Sequence, residues 1–234
     1  MEHLTIEQAR ALINRTLPIS AELELFEHWR NCKICRGILK PIVVEKAQEK
    51  YEISQSVIFW YPFYVGDLQF RVYFTTKYIV AVGIGKRMIF NTEFVQVGWE
   101  EVERFHRGFL DSFVKYFISG SPVIYKDIFP FFTSTFFSKT VLYWTYLIPH
   151  GRTVSYGELA EWVGGRRYSR AVGQALARNK LPILIPCHRV IQAGGKPGNF
   201  TAGVELKVKL LKLEKKYLAE LKMGKNDPAN SQTY

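Results

Sequence analysis

The feature that most constrains the fold is a single block of β-type sequence set between stretches with helical periodicity. In this block, the runs Val57–Tyr61 and Phe70–Phe74 are rich in β-branched and aromatic residues, which favour strands. The step Val65–Leu68 predicts a hairpin turn between them, and Tyr78–Ile84 predicts a third strand. Because helical patterns both precede and follow this block, the sequence predicts an α+β fold with one small sheet.

The helical patterns suggest where the chain divides. Residues 4–50 have helix-like spacing, and residues 100–118 predict a helix that ends at Gly120. Beyond a stretch with two prolines and little periodicity, further helices are expected over Phe136–Leu147 and Leu206–Leu221. We therefore expect an N-terminal mixed α/β domain with a helical N-terminal extension, a linker, a mostly helical C-terminal domain and a polar, disordered tail, at residues 1–120, 121–135, 136–224 and 225–234.

Composition and charge limit the class of protein. With 47% hydrophobic and 15% aromatic residues, the chain of 234 residues can bury a full core. Its formal charge of +11 indicates a polyanionic partner, with nucleic acid as the first candidate and an anionic membrane surface as the second. The sequence has neither a membrane-spanning stretch nor the basic start of a signal peptide, and its three cysteines do not form a disulfide scaffold. We expect a protein without a membrane partner, located in the cytoplasm or, in a eukaryote, in the nucleus.

Two short helices in the C-terminal part predict a helix-turn-helix. Ser155 and Glu158 form a capping-box pattern that begins the first helix, which ends at Gly164. Ser169 is expected to cap the second helix, over Arg170–Arg178. Two such helices joined by a tight turn that contains glycine are typical of the motif. The basic residues that flank the second helix are Arg166, Arg167, Arg170 and Arg178.

The run Leu181–Ile191 contains the residues that best indicate chemistry. Cys187 follows a proline-bracketed apolar segment and precedes His188 and Arg189. Cationic surroundings lower the pKa of a thiol and make it a nucleophile. A buried structural cysteine beside an unrelated histidine is the alternative. Consecutive side chains usually diverge, so a bridging water would be needed for His188 to act as a base, with a third group orienting the imidazole.

The segment Pro186–Val190 (PCHRV) resembles the active-site signature of the O6-alkylguanine-DNA alkyltransferases. Further segments resemble that family in order and at family spacing: Gly151–Tyr156, Ser169–Gly173, Asn179, Gly198–Gly203 and Glu214. The resemblance implies a ribonuclease-H-like N-terminal domain and a helix-turn-helix in the C-terminal one. It covers about Phe136 to Glu214, and the first fifty or so residues carry none of it.

The resemblance also implies roles for single residues of the catalytic site. Cys187 would accept the alkyl group, and His188 would act as its base through a water molecule. Glu214 would orient His188, and Asn179 would brace the turn that carries the cysteine. Tyr156 would push the target nucleotide out of the duplex and help to protonate the departing guanine. Extrusion is needed because the O6 carbon cannot be reached inside a stacked duplex.

Two further groups of residues follow from the same resemblance. Arg170 would fill the place of the extruded base, and Thr201 would donate to the guanine O6. The expected DNA-binding residues are Arg170, Tyr156, Ser155, Arg178, Ala171 and Gly173. The expected pocket residues are Pro182, Val190, Phe200, Thr201 and Ala202. The pocket loop departs from the family in having Phe200 and Ala202 where tyrosine and a paired glycine are common, which leaves the preferred alkyl size open.

The sequence thus predicts DNA repair by irreversible, single-turnover transfer to Cys187, by a monomer that requires no cofactor. The substrate would be double-stranded DNA that contains O6-alkylguanine, with O4-alkylthymine as a second candidate. A helix-turn-helix DNA-binding protein and a cysteine hydrolase are the alternatives from other classes. Alkyltransferase-like proteins, which bind lesions without accepting the group, lack the cysteine that is present here.

Three N-terminal residues form an incomplete metal-binding pattern. His28, Cys32 and Cys35 have the spacing of three zinc ligands, and a fourth could come from His3 or His106. The alternatives are a local disulfide and two free thiols. A structural zinc ion in the N-terminal domain is therefore one of three hypotheses for these residues.

Overall fold

The computed structural model describes residues 3–49, 57–85, 94–123, 125 and 135–223. The expected linker over 121–135 lies mostly outside the described residues, and the expected tail over 225–234 lies wholly outside them. No helix in these described ranges combines the length and the apolar character needed to cross a bilayer.

The described elements are mostly helices, with one small sheet and a two-stranded pair. The helices are α1 Ile6–Ile13, α2 Ile19–Trp29, α3 Lys33–Gln48, α4 Trp99–Phe105, α5 Phe109–Ser119, α6 Phe136–Tyr146, α7 Tyr156–Val163, α8 Ser169–Ala177 and α9 Val204–Lys222. The strands are β1 Phe59–Val65, β2 Leu68–Phe74, β3 Ile79–Ile84, β4 Val95–Gln96, β5 Val154–Ser155 and β6 Val190–Ile191. Short 3-10 turns cover Arg166–Tyr168 and Cys187–Arg189. The mixed α and β composition expected from the sequence is confirmed.

The larger sheet has the strand order β3-β2-β1-β4. Strands β1 to β3 form an antiparallel meander, and β4 pairs parallel to β1. The predicted hairpin is confirmed, since Val65 pairs with Leu68 across a two-residue turn. Gly66 occupies this turn with a φ of +56°, a conformation that costs glycine little.

The N-terminal helices pack against the C-terminal half of the chain. The ring of Trp29, at the end of α2, lies 5.9 Å from that of Trp144 in α6 and 4.9 Å from that of Trp162 in α7. Trp29 is fully buried, and the three indoles belong to the main hydrophobic core. Since aromatic side chains bury large apolar areas, this cluster is a strong link between the extension and the helices that follow.

The predicted helix over 100–118 is two helices, α4 and α5, and that prediction was wrong. The break falls at His106–Gly108, where Gly108 has a φ of +73°. The buried ring of His106 meets the carbonyl oxygen of Thr75 at 2.7 Å, which ties the break to the end of β2. The helix does end at Gly120, as expected, with a φ of +79°.

The two predicted serine caps have different outcomes. The Ser155 capping box is confirmed: the side chain accepts from the Glu158 amide at 3.1 Å, and the Glu158 carboxylate accepts from the Ser155 amide at 2.8 Å. Ser169 is not a cap, because the 3-10 turn over Arg166–Tyr168 leads directly into α8 and Ser169 is already helical. Its hydroxyl instead donates to the Arg166 carbonyl at 2.6 Å.

One hydrogen bond joins the sheet to the segment that leads to Cys187. The amide of Val82, on the edge strand β3, donates to the carbonyl of Lys180 at 2.8 Å. The loop after α8 is therefore held against the sheet, and β3 becomes a wall of the space beside the cysteine.

The different roles of the two serines give a stability prediction. Ser155→Ala should lower the free energy of unfolding by about 1 kcal/mol, because the Glu158 amide in the first turn of α7 loses its side-chain acceptor. Ser169→Ala is the matched control and should change it by less than about 0.5 kcal/mol, because only an exposed hydroxyl donor is lost. Urea unfolding followed by circular dichroism measures both. Equal losses of unfolding free energy in the two variants would show that the capping box adds no stability beyond that of any serine hydroxyl.

Candidate active site

Cys187 begins a 3-10 turn that a single side chain holds in place. The amide nitrogen Nδ2 of Asn179 donates to the carbonyl of Ile185 at 2.9 Å and to Sγ of Cys187 at 3.1 Å. Its Oδ1 accepts from the Leu181 amide at 3.0 Å. Ile183, in the same loop, has a φ of +75°, a strained conformation for a β-branched residue. The bonds of Asn179 thus fix the loop on both sides of this residue.

Glu214 of α9 is the centre of a buried hydrogen-bond network. Its carboxylate accepts from the Tyr116 hydroxyl at 2.8 Å, the Gly151 amide at 2.9 Å and Nε of Arg189 at 2.9 Å. Burial by itself would raise the pKa of Glu214. The Arg189 guanidinium and the His188 imidazole outweigh burial and hold this pKa well below its usual range. Glu214 is therefore an ionised acceptor for every donor around it.

His188 is fully buried and its two ring nitrogens have different surroundings. Nε2 lies 2.8 Å from Oε1 of Glu214, whereas the buried Nδ1 has no hydrogen-bond partner among the described residues. Burial lowers the pKa of His188, although the Glu214 charge opposes the shift. A neutral imidazole that donates from Nε2 to a carboxylate has its lone pair on Nδ1. Nδ1 is then the nitrogen that can accept a proton.

The resting state of Cys187 differs from the sequence expectation. The pKa of its thiol is raised by burial, and the Asn179 hydrogen bond and the Lys207 charge only partly oppose the shift. The neighbouring cation, Arg189, does not face the sulfur. It is bound to Glu214 and to the carbonyl of Ile148, at 2.9 and 2.7 Å. Cys187 and His188 therefore rest as a neutral thiol and a neutral imidazole, and the thiol has to lose its proton as it reacts.

Two cavities meet at Cys187. The smaller, of about 160 Å³, is lined by Val82, Gly83, Ile84, Ala177, Arg178, Asn179, Lys180, Pro182, Cys187, Phe200, Thr201 and Ala202. The larger, of about 780 Å³, is lined by Tyr156, Ser169, Arg170, Gly173, Gln174, Leu176, Ala177, Cys187, Gln192, Asn199, Phe200 and Thr201. Four of the five expected pocket residues line the smaller cavity. Val190 does not, because its side chain is fully buried and its strand, β6, pairs with β5.

The expected DNA-binding residues lie in or directly beside helices α7 and α8, with differing exposure. Arg170 is exposed at the rim of the larger cavity, where Tyr156 and Gly173 also lie. Arg178 is exposed and borders the smaller cavity. Ala171 is half-buried and lines neither cavity. The side chain of Ser155 is already bonded within its capping box.

One pocket residue, Thr201, already has a partner. Its hydroxyl donates to the carbonyl of Ala177 at 3.3 Å. This bond anchors the pocket loop to the end of α8. A bound guanine would therefore have to compete for the same hydroxyl.

Sequence reasoning did not single out Tyr116 or Lys207. Tyr116 comes from α5, far away along the chain, and no local pattern identifies it. Lys207 lies seven residues before Glu214, on the same face of α9, and that spacing was a usable signal. Its Nζ donates to the carbonyl of Val190 at 2.6 Å and lies 5.7 Å from the ring centre of Tyr156. Burial lowers its pKa to about 8.

The three N-terminal metal candidates do come together, and the fourth group is His3. One ligand-type atom each of His3, His28, Cys32 and Cys35 lies within 4.8 Å of the others. His106, the other histidine considered, is bonded instead to Tyr125 and to the Thr75 carbonyl. The cysteines are free thiols.

Comparisons with known proteins identify the family of this chain. The sequence model of the family described as "6-O-methylguanine DNA methyltransferase, DNA binding domain" matches residues 136–216. A methylated-DNA–protein-cysteine methyltransferase of Methanosarcina acetivorans is 41% identical over 118 residues, which is 50% of this chain and 73% of the relative. One from Mycolicibacterium paratuberculosis is 36% identical over 122 residues, covering 52% of this chain and 73% of the relative.

Solved structures give the same result for the fold. The chain is similar to a Mycobacterium tuberculosis OGT in complex with DNA, with a TM-score of 0.61 and 26% identity over 68% of this chain and 94% of the other. It is also similar to the O6-methylguanine methyltransferase of that organism, with a TM-score of 0.58 and 26% identity over 71% and 99% of the two chains. Fold and site define a cysteine-dependent alkyltransferase. The chain belongs to the methylated-DNA–protein-cysteine methyltransferase family.

The buried histidines predict how stability depends on pH. The pKa of His150, beside Glu214, is lowered to about 4 because burial disfavours its charged form. The unfolded chain takes up this proton near pH 6.5 and the folded one only near pH 4. The contribution of His150 to stability is therefore fully present above pH 6.5 and is lost as the pH falls towards 4.

His150→Asn keeps an acceptor near the position of Nδ1. It should reduce the difference in bound protons between the unfolded and the folded chain by up to one. The slope of unfolding free energy against pH should then decrease by up to about 1.4 kcal/mol per pH unit between pH 6.5 and 4. Urea midpoints over this range measure it. A variant as steep as the parent would contradict the assignment.

Proposed function

We propose that this protein repairs DNA by moving the alkyl group of O6-alkylguanine onto Cys187, once per protein molecule. Membership in the family makes it a DNA-repair methyltransferase that acts by alkyl transfer. The residues that perform each step are our assignment. The observation that carries it is the buried Nδ1 of His188, which has no hydrogen-bond partner among the described residues, while Glu214 binds Nε2 and thereby fixes the tautomer. The preceding residue, Cys187, lines both cavities.

The transfer requires one proton to leave the thiol and one to reach the guanine. A water molecule passes the Cys187 proton to Nδ1 of His188, and the imidazolium is stabilised by Glu214. The sulfur attacks the alkyl carbon, so an S–C bond forms as the C–O6 bond breaks. The guanine leaves with a proton, which the hydroxyl of Tyr156 supplies. The Tyr156 pKa is raised by burial, which keeps it a proton donor at neutral pH.

Three other side chains position the reacting groups. Asn179 donates to the Cys187 sulfur and keeps its turn in place. Tyr116 and Arg189 bind the same carboxylate as His188, so they orient the base through Glu214. This arrangement suits a thiol that is activated only at the moment of attack, because neither partner carries a charge at rest.

We assign DNA binding to α7 and α8, as the two helices of a helix-turn-helix joined by the 3-10 turn. The exposed Arg170 in α8 and Arg178 directly after it, and the formal charge of +11, support that assignment. The strand order of the N-terminal sheet, with β4 parallel to β1, supports a ribonuclease-H-like domain over residues 1–120. The helix-turn-helix domain is assigned to residues 136–224.

The substrate is assigned from the family: double-stranded DNA with O6-alkylguanine, and O4-alkylthymine as a second candidate. We propose a monomer whose reaction needs no cofactor. A plain DNA-binding regulator would have no use for the buried relay from Glu214 to Cys187. A cysteine hydrolase would be regenerated after each cycle, whereas a thioether formed at carbon is not, and this difference decides the test.

The first test is stoichiometry. Incubation with excess duplex that contains O6-methylguanine should add one methyl group per chain, on the peptide with Cys187, by intact and peptide mass spectrometry. Cys187→Ala should lose the transfer completely and keep duplex affinity within a few fold, because it removes no phosphate-contacting surface. Its affinity should still fall with added salt.

Two outcomes would contradict this proposal. Sustained turnover in excess substrate would identify a hydrolase. Methyl label on Cys32 or Cys35, with Cys187 unmodified, would reject Cys187 as the acceptor.

The second test concerns base extrusion. Arg170→Ala should slow transfer from duplex DNA much more than transfer from the same lesion in a single strand, since only the duplex leaves a gap that the side chain fills. Rates are compared at saturating protein. Arg166→Ala is the matched control, an exposed arginine just before the same helix. If Arg166 contacts a phosphate, Arg166→Ala should weaken binding to both substrates and reduce the slope of affinity against salt concentration by about one.

Equal slowing of both substrates by Arg170→Ala would make Arg170 a backbone anchor. Another residue would then have to fill the gap in the base stack.

A further inference from the structure

The N-terminal helices bring four metal-ligand side chains to one point. His3 precedes α1, His28 lies in the last turn of α2, and Cys32 and Cys35 stand at the start of α3. Their ligand-type atoms lie within 4.8 Å of one another. Two thiols and two imidazoles are a donor set of structural zinc sites, whereas calcium and magnesium take oxygen ligands.

The distances that the structure gives match a metal-centred arrangement. Nδ1 of His3 lies 3.5 Å from Sγ of Cys32 and 3.6 Å from Sγ of Cys35. Zinc bonds of about 2.3 Å to sulfur and about 2.0–2.1 Å to nitrogen, at tetrahedral angles, place such ligand atoms roughly 3.6 Å apart. The three atoms therefore stand where the edges of a zinc tetrahedron would place them.

The surroundings of the cluster also fit bound metal. The backbone amide of Leu4 donates to Sγ of Cys35 at 3.4 Å. Such a donor stabilises a thiolate, the form that binds metal. Nε2 of His28 is buried without a hydrogen-bond partner among the described residues, a costly state for a polar atom.

We propose that His3, His28, Cys32 and Cys35 bind one zinc ion as a structural site. Four protein ligands leave no open position for a reacting water, so the ion is not catalytic. It joins the start of the chain to the bend between α2 and α3. The proposal does not rest on alkyl transfer, and the two can fail separately.

The position of this bend indicates what the ion stabilises. Arg30, two residues after His28, donates to the Glu158 carboxylate at 2.8 Å, and Glu27 forms an ion pair with Arg152. Glu158 is the acidic member of the capping box that begins α7. A metal that fixes the bend therefore also fixes the side chains that hold the start of α7.

Metal content is the first measurement. The full chain, dialysed against metal-free buffer, should retain about one zinc ion per molecule by mass spectrometry of the elements. The double variant Cys32→Ser/Cys35→Ser should retain none. Cys187→Ser is the matched control for loss of a thiol and should retain the full amount. Zinc that stays bound to the double variant would overturn the site.

Titration of the metal-free full chain keeps the test valid even if the double variant does not fold. Cobalt(II) alone should give the intense visible bands of tetrahedral coordination with thiolate-to-metal charge transfer, and zinc should displace them in a 1:1 ratio. Zinc should also raise Tm by roughly 5–15 °C, since it binds the folded chain preferentially. Absent bands with an unchanged Tm would overturn the proposal. So would a native mass lower by two hydrogens, which identifies a Cys32–Cys35 disulfide.

Discussion

The structure depends on how one buried negative charge is compensated. Glu214 is fully buried, and its carboxylate binds groups from α5, from the loop after α6 and from the turn after Cys187. An ion buried without partners is strongly unfavourable, and removal of one partner of such a pair typically costs about 3–5 kcal/mol. All of these elements therefore have to be in place for the charge to be tolerated. The same condition orients His188, so folding and preparation of the base are one event.

Gly151 is a backbone position that helps to compensate the charge of Glu214. Its amide donates to Oε2 of Glu214, and its φ of +68° belongs to the left-handed region. A Cβ at this position would clash with the side chain of Leu218, which would have to shift. The positive φ therefore favours glycine where the chain passes α9, and the packing adds to that preference.

Much of the fold could be predicted because its signals are local. The three strands and the hairpin follow from β-branched and aromatic runs, and the capping box of Ser155 is visible in four residues. The break between α4 and α5 could not be predicted, because a contact between His106 and the distant Thr75 accompanies it. Ser169 failed as a cap because a 3-10 turn, which has no distinct sequence signal, precedes it.

The candidate site divides in the same way. The resemblance to the alkyltransferase family implied roles for Asn179, Cys187, His188 and Glu214, and the structure brings these residues together. The charge state of the Cys187 thiol could not be predicted from the sequence, because it depends on burial and on the direction in which Arg189 points. Tyr116 and strand β3 come from the other half of the chain. Only the folded structure brings Tyr116 to Glu214 and β3 to the cavity beside Cys187.

The wall that β3 forms beside Cys187 bears on whether the second half of the chain can be active without the first half. The segment 136–216, which the family model matches, contains the cysteine, the histidine and the acid. It does not contain Val82, whose amide holds the loop at Lys180, or Tyr116, which binds Glu214. Separated from the first half, the segment would expose one side of the smaller cavity to water and leave a buried carboxylate short of a donor. Activity therefore requires both halves of the chain. Recombination that exchanges one half would have to preserve the contact surface between the halves as well as the motif around Cys187.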